Sequence, residues 1–252
     1  MTNAPYRDDL NKIVVLNPKG GCGKTTLATN LASYFALRGP TPTLVDCDPK
    51  GFTKCWLEKR PPDSCRIKGI SSDDYVVHGN RNWPFRTPRE AGAVIIDTPA
   101  ALGRSEISEL THIANCILIP VLPSSFDVQV MTKFIADLLL LTDFDLPMAV
   151  VANRTQQNTK SLEMLMRILA GLEIPTIAAL RNTQNYVHAA AHGLGIYEMP
   201  LFRVKRDLEQ MDQLIVWLDE QLVRTFEPTF MSRVNPLPRL FAASGSGPSH
   251  QD

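Results

Sequence analysis

The chain of 252 residues lacks an excess of charge of either sign: 26 Lys and Arg balance 26 Asp and Glu. A protein that coats nucleic acid by bulk charge is thereby excluded, although local basic patches are not. It also lacks long apolar runs. A transmembrane helix needs about 18 consecutive apolar residues, and the richest run here, residues 116–122, is broken by Pro120. Paired cysteines are missing too. Cys22, Cys47, Cys55, Cys65 and Cys116 are odd in number and form no CxxC, which argues for unpaired thiols in a reducing compartment and against a zinc or cluster site. The polar start, MTNAPYRDDLNK, has no apolar segment of a secretory signal. What is present is an ordinary globular composition, 44% hydrophobic and 21% charged, in a chain long enough to bury a large core without staples.

Short apolar or β-branched runs at residues 13–16, 43–47, 93–96, 116–120, 148–152 and, more weakly, 174–178 alternate with helical spacing over 24–37, 104–112, 126–141 and 160–170. This alternation predicts an α/β fold, a mostly parallel sheet flanked by helices. Residues 60–92 are polar and proline-rich, with one strand expected near Tyr75–Val77. Val204, Leu208, Met211, Ile215, Leu218 and Leu222 step by four and three, a helical stripe expected to pack on the sheet. Beyond Phe226 prolines and a Ser/Gly run predict a disordered tail. The expected division is an N-terminal extension (1–11), one domain (12–226) and the tail (227–252).

The sharpest signal is Asn17-Pro18-Lys19-Gly20-Gly21-Cys22-Gly23-Lys24-Thr25-Thr26, between the first strand and the first helix. Its glycines let successive backbone N–H groups curl around a phosphate, and the helix start adds its positive dipole end. Lys24 is placed to reach β- and γ-phosphates, and the Thr25 hydroxyl to ligate Mg²⁺. The strict pattern G-x-x-x-x-G-K-[ST] fails, because Pro18 stands where its first glycine belongs, and Lys19 is an extra cation. In this the loop resembles the deviant Walker A loop of the ParA/MinD family of P-loop ATPases. Leu44-Val45-Asp46-Cys47-Asp48-Pro49-Lys50-Gly51 is similar to that family's switch I, with Lys50 in place of the usual glutamine. Val94-Ile95-Ile96-Asp97-Thr98-Pro99-Ala100 resembles its Walker B strand and switch II. Ile119-Pro120-Val121-Leu122-Pro123-Ser124 resembles its next strand and loop, and Val150-Val151-Ala152-Asn153-Arg154 the strand end that recognises adenine.

The resemblance implies a P-loop NTPase fold, ATP and Mg²⁺ as cofactors, and roles for named residues. Gly20, Gly21, Cys22, Gly23, Lys24, Thr25 and Thr26 would line the phosphates. Asp48 would position the attacking water, while Asp46, Asp97 and Thr25 would hold the metal directly or through water. On their own chemistry Asp46 and Asp48 also read as strand-end caps, and Asn153, a donor and acceptor for an adenine edge, as a turn residue. Lys19 would cross to a partner's nucleotide, so the implied state is a homodimer sandwiching ATP. The resemblance further implies nonspecific binding of nucleoid DNA, with Arg181, Arg203, Lys205 and Arg206 as candidate contacts, and hydrolysis stimulated by a ParB-like or other cargo adaptor. The expected task is positioning a plasmid, chromosome or protein compartment in the cytoplasm of a bacterium or archaeon, on the nucleoid rather than a membrane. Two alternatives stay open: a MinD-like membrane-associated regulator, and a metabolic or redox enzyme of the same fold. His188 and His192 have metal-like spacing but no acidic or cysteine neighbour, and read as a surface pair.

Overall fold

The computed structural model describes residues 11–71, 92–142, 146–172 and 174–223. The strand expected near Tyr75–Val77, most of the N-terminal extension and the tail 227–252 lie outside them. Seven strands among the described residues form one sheet: β1 (Lys12–Val15), β2 (Thr43–Asp46), β3 (Lys68–Ser71), β4 (Val94–Asp97), β5 (Cys116–Val121), β6 (Met148–Thr155) and β7 (Thr176–Arg181). Their order is β3-β2-β4-β1-β5-β6-β7, and every neighbouring pair is parallel. A parallel pair needs a crossover, and helices supply it: α1 (Lys24–Leu37), α2 (Phe52–Glu58), α3 (Arg104–Ile113), α4 (Ser125–Leu139), α5 (Lys160–Ala170), α6 (Gln184–Ala191) and α7 (Leu201–Val223).

The strands are short and apolar because both faces are covered. Alternate residues serve opposite layers. Ile13, Val15, Leu44, Ile95, Leu118 and Val151 pack with Leu27 and Leu31 of α1 and Met211, Leu214 and Leu218 of α7. Val14, Val45, Ile96, Ile117, Ile119 and Val150 pack with Leu110 of α3, Met131 and Ile135 of α4 and Leu165 of α5. The stripe on α7 therefore meets the sheet as its spacing predicts: Val204, Met211, Ile215, Leu218 and Leu222 are buried.

Three elements depart from the sequence expectation. The expected strand at 174–178 runs instead over Thr176–Arg181, displaced by Pro175, which has no N–H for the ladder. Strand β3 lies in the polar stretch 60–92, short of the one strand expected there, and helix α2 lies where no element was expected. Among the described residues β3 is an edge strand, exposed or half-exposed throughout, so it needs no apolar run to form. Helix α2 has seven residues, with only Thr53 and Trp56 buried, too short for a periodic signature.

Helix α2 is tied to the far end of the chain. The Trp56 indole N–H donates to the Leu194 carbonyl (3.3 Å). Arg60 makes a two-pronged ion pair with Glu198 at 3.1 and 2.7 Å and also donates to the Gly193 carbonyl. Gly193 has φ +66°, and a side chain there would lie 2.5 Å from the Arg60 nitrogen, so this close approach requires glycine. Both charges are nearly buried, 8% and 7% exposed. Removing one partner strands the other, a loss of about 3–5 kcal/mol. Glu198→Ala is expected to destabilise the chain by that amount in urea unfolding, whereas Asp219→Ala, which removes the exposed Arg38 pair, is expected to cost under about 1 kcal/mol.

Candidate functional site

The site lies at the carboxyl ends of the strands, around central β1, where chain connections depart to opposite sides of the sheet. The loop from β1 to α1 wraps over this rim. Gly21 and Gly23 take φ of +77° and +103°, the left-handed turns that let the backbone curl. Asn17 braces the loop: its amide donates to the Pro120 carbonyl (2.7 Å) and its oxygen accepts the Lys19 N–H (2.8 Å). Lys24 is buried and folds back across the loop, its Nζ donating to the carbonyls of Asn17 (2.9 Å) and Lys19 (3.0 Å). An ammonium held by neutral carbonyls inside its own loop is poised to exchange them for anionic oxygens. Cys22, buried, donates its thiol to the Lys19 carbonyl, and burial raises its pKa, opposed by nearby Lys24. It is a packed, protonated wall of the loop.

Sheet register brings the carboxylates together. Asp46 and Asp97 are directly paired residues on adjacent β2 and β4. The Asp46 carboxylate accepts from the N–H groups of Asp48 (3.1 Å) and Lys54 (3.2 Å); burial raises its pKa and those donors oppose the rise. Asp48, half-buried, accepts the Lys50 N–H on one carboxylate oxygen (3.0 Å) in a local turn. Lys50 is exposed. Asp97 is 1% exposed. One oxygen accepts from the Thr53 hydroxyl (2.9 Å), and the other is buried and makes no geometrically sound hydrogen bond among the described residues, with the Thr25 hydroxyl nearby. Burial, with Asp46 adding to it, pushes the Asp97 pKa up to about 7, against the Thr25 and Thr53 hydroxyls and Lys24. An orphaned carboxylate oxygen beside a second carboxylate and the Thr25 hydroxyl is a hard, oxygen-donor arrangement that fits Mg²⁺.

Asn153 reaches toward the loop. Its amide donates to the Cys22 carbonyl (2.8 Å) and its oxygen accepts the Arg154 N–H (2.9 Å). A side chain at Gly23 would lie 2.0 Å from this amide, so the glycine makes room for a brace between β6 and the loop. Arg181 is not a free cation: its guanidinium clamps fully buried Asp207 at 2.5 and 3.1 Å. Arg203, Lys205 and Arg206 are exposed at the start of α7. His188 of α6 and His192, which caps that helix, lie against each other, ring centroids 4.5 Å apart, and among the described residues no three His, Cys, Asp or Glu side chains gather to hold a metal ion around them or elsewhere.

Sequence reasoning missed Asn17 as a brace, Thr53 as the donor to Asp97, and Phe126 and Asp127, which contact Lys19. Thr53 was legible only once α2 was known. Ser124-x-x-Asp127 reads as a helix start, and Ser124 does cap α4, which gives no hint of a lysine partner.

A P-loop on a parallel sheet, with paired acidic residues at its rim, defines a nucleotide-binding domain. The chain belongs to the CobQ/CobB/MinD/ParA nucleotide binding domain family, whose profile matches residues 13–196. It is 28% identical over 194 residues to the Maintenance of carboxysome distribution protein A of Halothiobacillus neapolitanus, covering 74% of this chain and 87% of that protein. The fold is shared with apo McdA of Cyanothece (TM-score 0.64, 17% identity, 84% of this chain and 99% of that one). It is shared also with the septum site-determining protein MinD of Pyrococcus horikoshii complexed with Mg-ADP (TM-score 0.54, 14% identity, 74% and 87%). The chain is thus a homologue of ParA-type positioning and partition ATPases. Among the described residues no helix is long and apolar enough to cross a membrane.

The raised pKa of Asp97 makes the ligand-free fold sensitive to pH. The folded chain holds this proton more tightly than the unfolded chain, whose value is 3.8. The contribution of Asp97 to stability is therefore greatest below that value and is lost as pH rises toward 7. Asp97→Asn is expected to flatten this dependence and to raise nucleotide-free stability at pH 8 by about 2 kcal/mol, while weakening Mg²⁺-dependent nucleotide binding at least about tenfold. Thermal unfolding across pH, with and without Mg-nucleotide, measures both.

Proposed function

We propose that this chain is an ATP-driven positioning switch: it binds Mg-ATP, pairs with a second copy through the nucleotide, holds nonspecific DNA as a dimer, and releases it on hydrolysis. The observation that carries the nucleotide part is the two-lysine loop beside Asp97, whose buried oxygen makes no geometrically sound hydrogen bond among the described residues. Lys24 and the N–H groups of residues 20–26 would hold the phosphates, and Thr25, Asp97 and Asp46 the metal, directly or through water. Bound there, Mg²⁺ would neutralise charge on the phosphate oxygens. Asp48 would orient the attacking water, and Asn153 would meet the adenine edge by giving up its present bonds. Lys19 would stabilise charge on the partner's phosphates, like an arginine finger.

Arg203, Lys205 and Arg206 are each exposed near one end of α7, and a dimer would double that set of cations, giving a modest, salt-sensitive hold on phosphates. Arg181, paired with buried Asp207 of the same helix, would contribute to such a contact only through the part of its guanidinium left exposed. Relatedness to a carboxysome distribution protein and to ParA proteins favours cargo positioning in the cytoplasm, on the nucleoid, with an adaptor protein stimulating hydrolysis.

The test is a gel shift with random-sequence DNA and cosedimentation with anionic liposomes, each with ATP, ADP and no nucleotide. DNA binding that requires ATP and fades with salt is expected. Lys24→Ala should abolish nucleotide binding and with it the DNA shift. Arg203→Ala/Lys205→Ala/Arg206→Ala should keep nucleotide binding and weaken the shift by about tenfold or more, with a shallower salt slope. ATP-dependent binding to liposomes and not to DNA would overturn the DNA reading in favour of a membrane.

A further inference from the structure

The side chain of Lys19 does not point into open solvent. Its Nζ lies 2.6 Å from Asp127 Oδ1 and 4.9 Å from the centroid of the Phe126 ring. Asp127 is 6% exposed and Lys19 28%. The other group on this carboxylate is the Ser124 hydroxyl, so Lys19 is its only ion-pair partner among the described residues. Position is set rigidly: Ser124 caps α4 and accepts the Asp127 N–H at 3.1 Å. Phe126, next along the same turn, is 65% exposed, with Lys19 over its ring and the remainder facing water.

We propose that Phe126 and Asp127 form a latch that keeps Lys19 within its own protomer until nucleotide and a second copy are both present. This rests on the reading of Lys19 as a group that crosses to a partner. Asp127 belongs to Lys19's own protomer, so a Lys19 that reaches across to a phosphate on the second copy is drawn away from it, and the latch and the sandwich compete for the ammonium. The long flexible stem of lysine permits the swing. The cost of opening is set by Asp127, because a nearly buried carboxylate that loses its cation is poorly resolvated. Only a centre of greater negative charge, a triphosphate presented by the second copy, outbids it. Phe126 adds cation–π attraction to the closed state. Asp127 is thus a positioning residue for Lys19: it suppresses dimers at low nucleotide and raises the nucleotide concentration at which dimerisation sets in.

Sedimentation velocity of the full chain during titration with the non-hydrolysable analogue AMPPNP and Mg²⁺ tests this. Asp127→Asn is expected to lower the analogue concentration at half-dimerisation by about 3–10-fold, a range set by charge-pair coupling energies. Phe126→Ala, which leaves the helix cap intact, should lower it by about twofold, and Asp127→Glu should restore the wild-type threshold. In a double-mutant cycle with Lys19→Ala, the Lys19–Asp127 coupling should appear in unfolding of the nucleotide-free chain and vanish with AMPPNP bound. A residue that merely capped α4 would move the unfolding midpoint and leave both the threshold and the Lys19 coupling untouched. If the wild type dimerises and neither Asp127→Asn nor Phe126→Ala shifts the threshold, the latch is wrong and the sandwich stands. If the wild type stays monomeric at saturating analogue, the sandwich and the latch fall together.

Discussion

Two aspartates side by side at the end of a buried sheet impose the constraint from which the rest of this molecule follows. Parallel pairing of β2 with β4 sets Asp46 against Asp97, and the apolar layers on both faces leave little water to screen them. Asp46 is made tolerable by backbone N–H groups of the turn that leads into α2. Asp97 is only half satisfied, by Thr53. A fold that retains such a group accepts a loss in stability in return for a place where a hard cation binds well. The phosphate loop then lies where a metal's other ligands would come from. Helix α2, short and poorly buried, bonds both carboxylates, through the Lys54 N–H and the Thr53 hydroxyl.

The lysines show how one loop separates two tasks. Lys24 is folded into the loop, buried and bound to carbonyls that an anion would displace. Lys19, five residues earlier, faces outward and is restrained by a side chain from another element. The first is prepared for a ligand inside the protomer, and the second is held from moving outside it.

Structure coupling the two ends of the site runs through α2. The turn after β2 bonds Asp46, Thr53 bonds Asp97, and Trp56 and Arg60 bond the segment that precedes α7. Contacts to the two carboxylates and to the segment that precedes α7 are thereby made by one short helix and the residues just after it.

Alternating apolar runs and helical stripes were enough to place six of the strands and the long helices, because a doubly covered parallel sheet writes itself as short β-branched segments ending in acidic or glycine residues. The loop Asn17–Thr26 was equally legible, since glycine spacing and lysine position follow directly from cradling a phosphate. Edge strand β3 and helix α2 were not, because an exposed edge and a two-turn helix need no hydrophobic period. The partners of the functional groups were also beyond the sequence. Nothing local links Lys19 to Asp127, Thr53 to Asp97, Arg181 to Asp207 or Arg60 to Glu198. The sequence alone determined the class of fold and the chemistry of its loop, because those depend on residue type at short spacing. Tertiary structure decided which charges are paired and which is left wanting, because that depends on strand register and on helices meeting across the sheet.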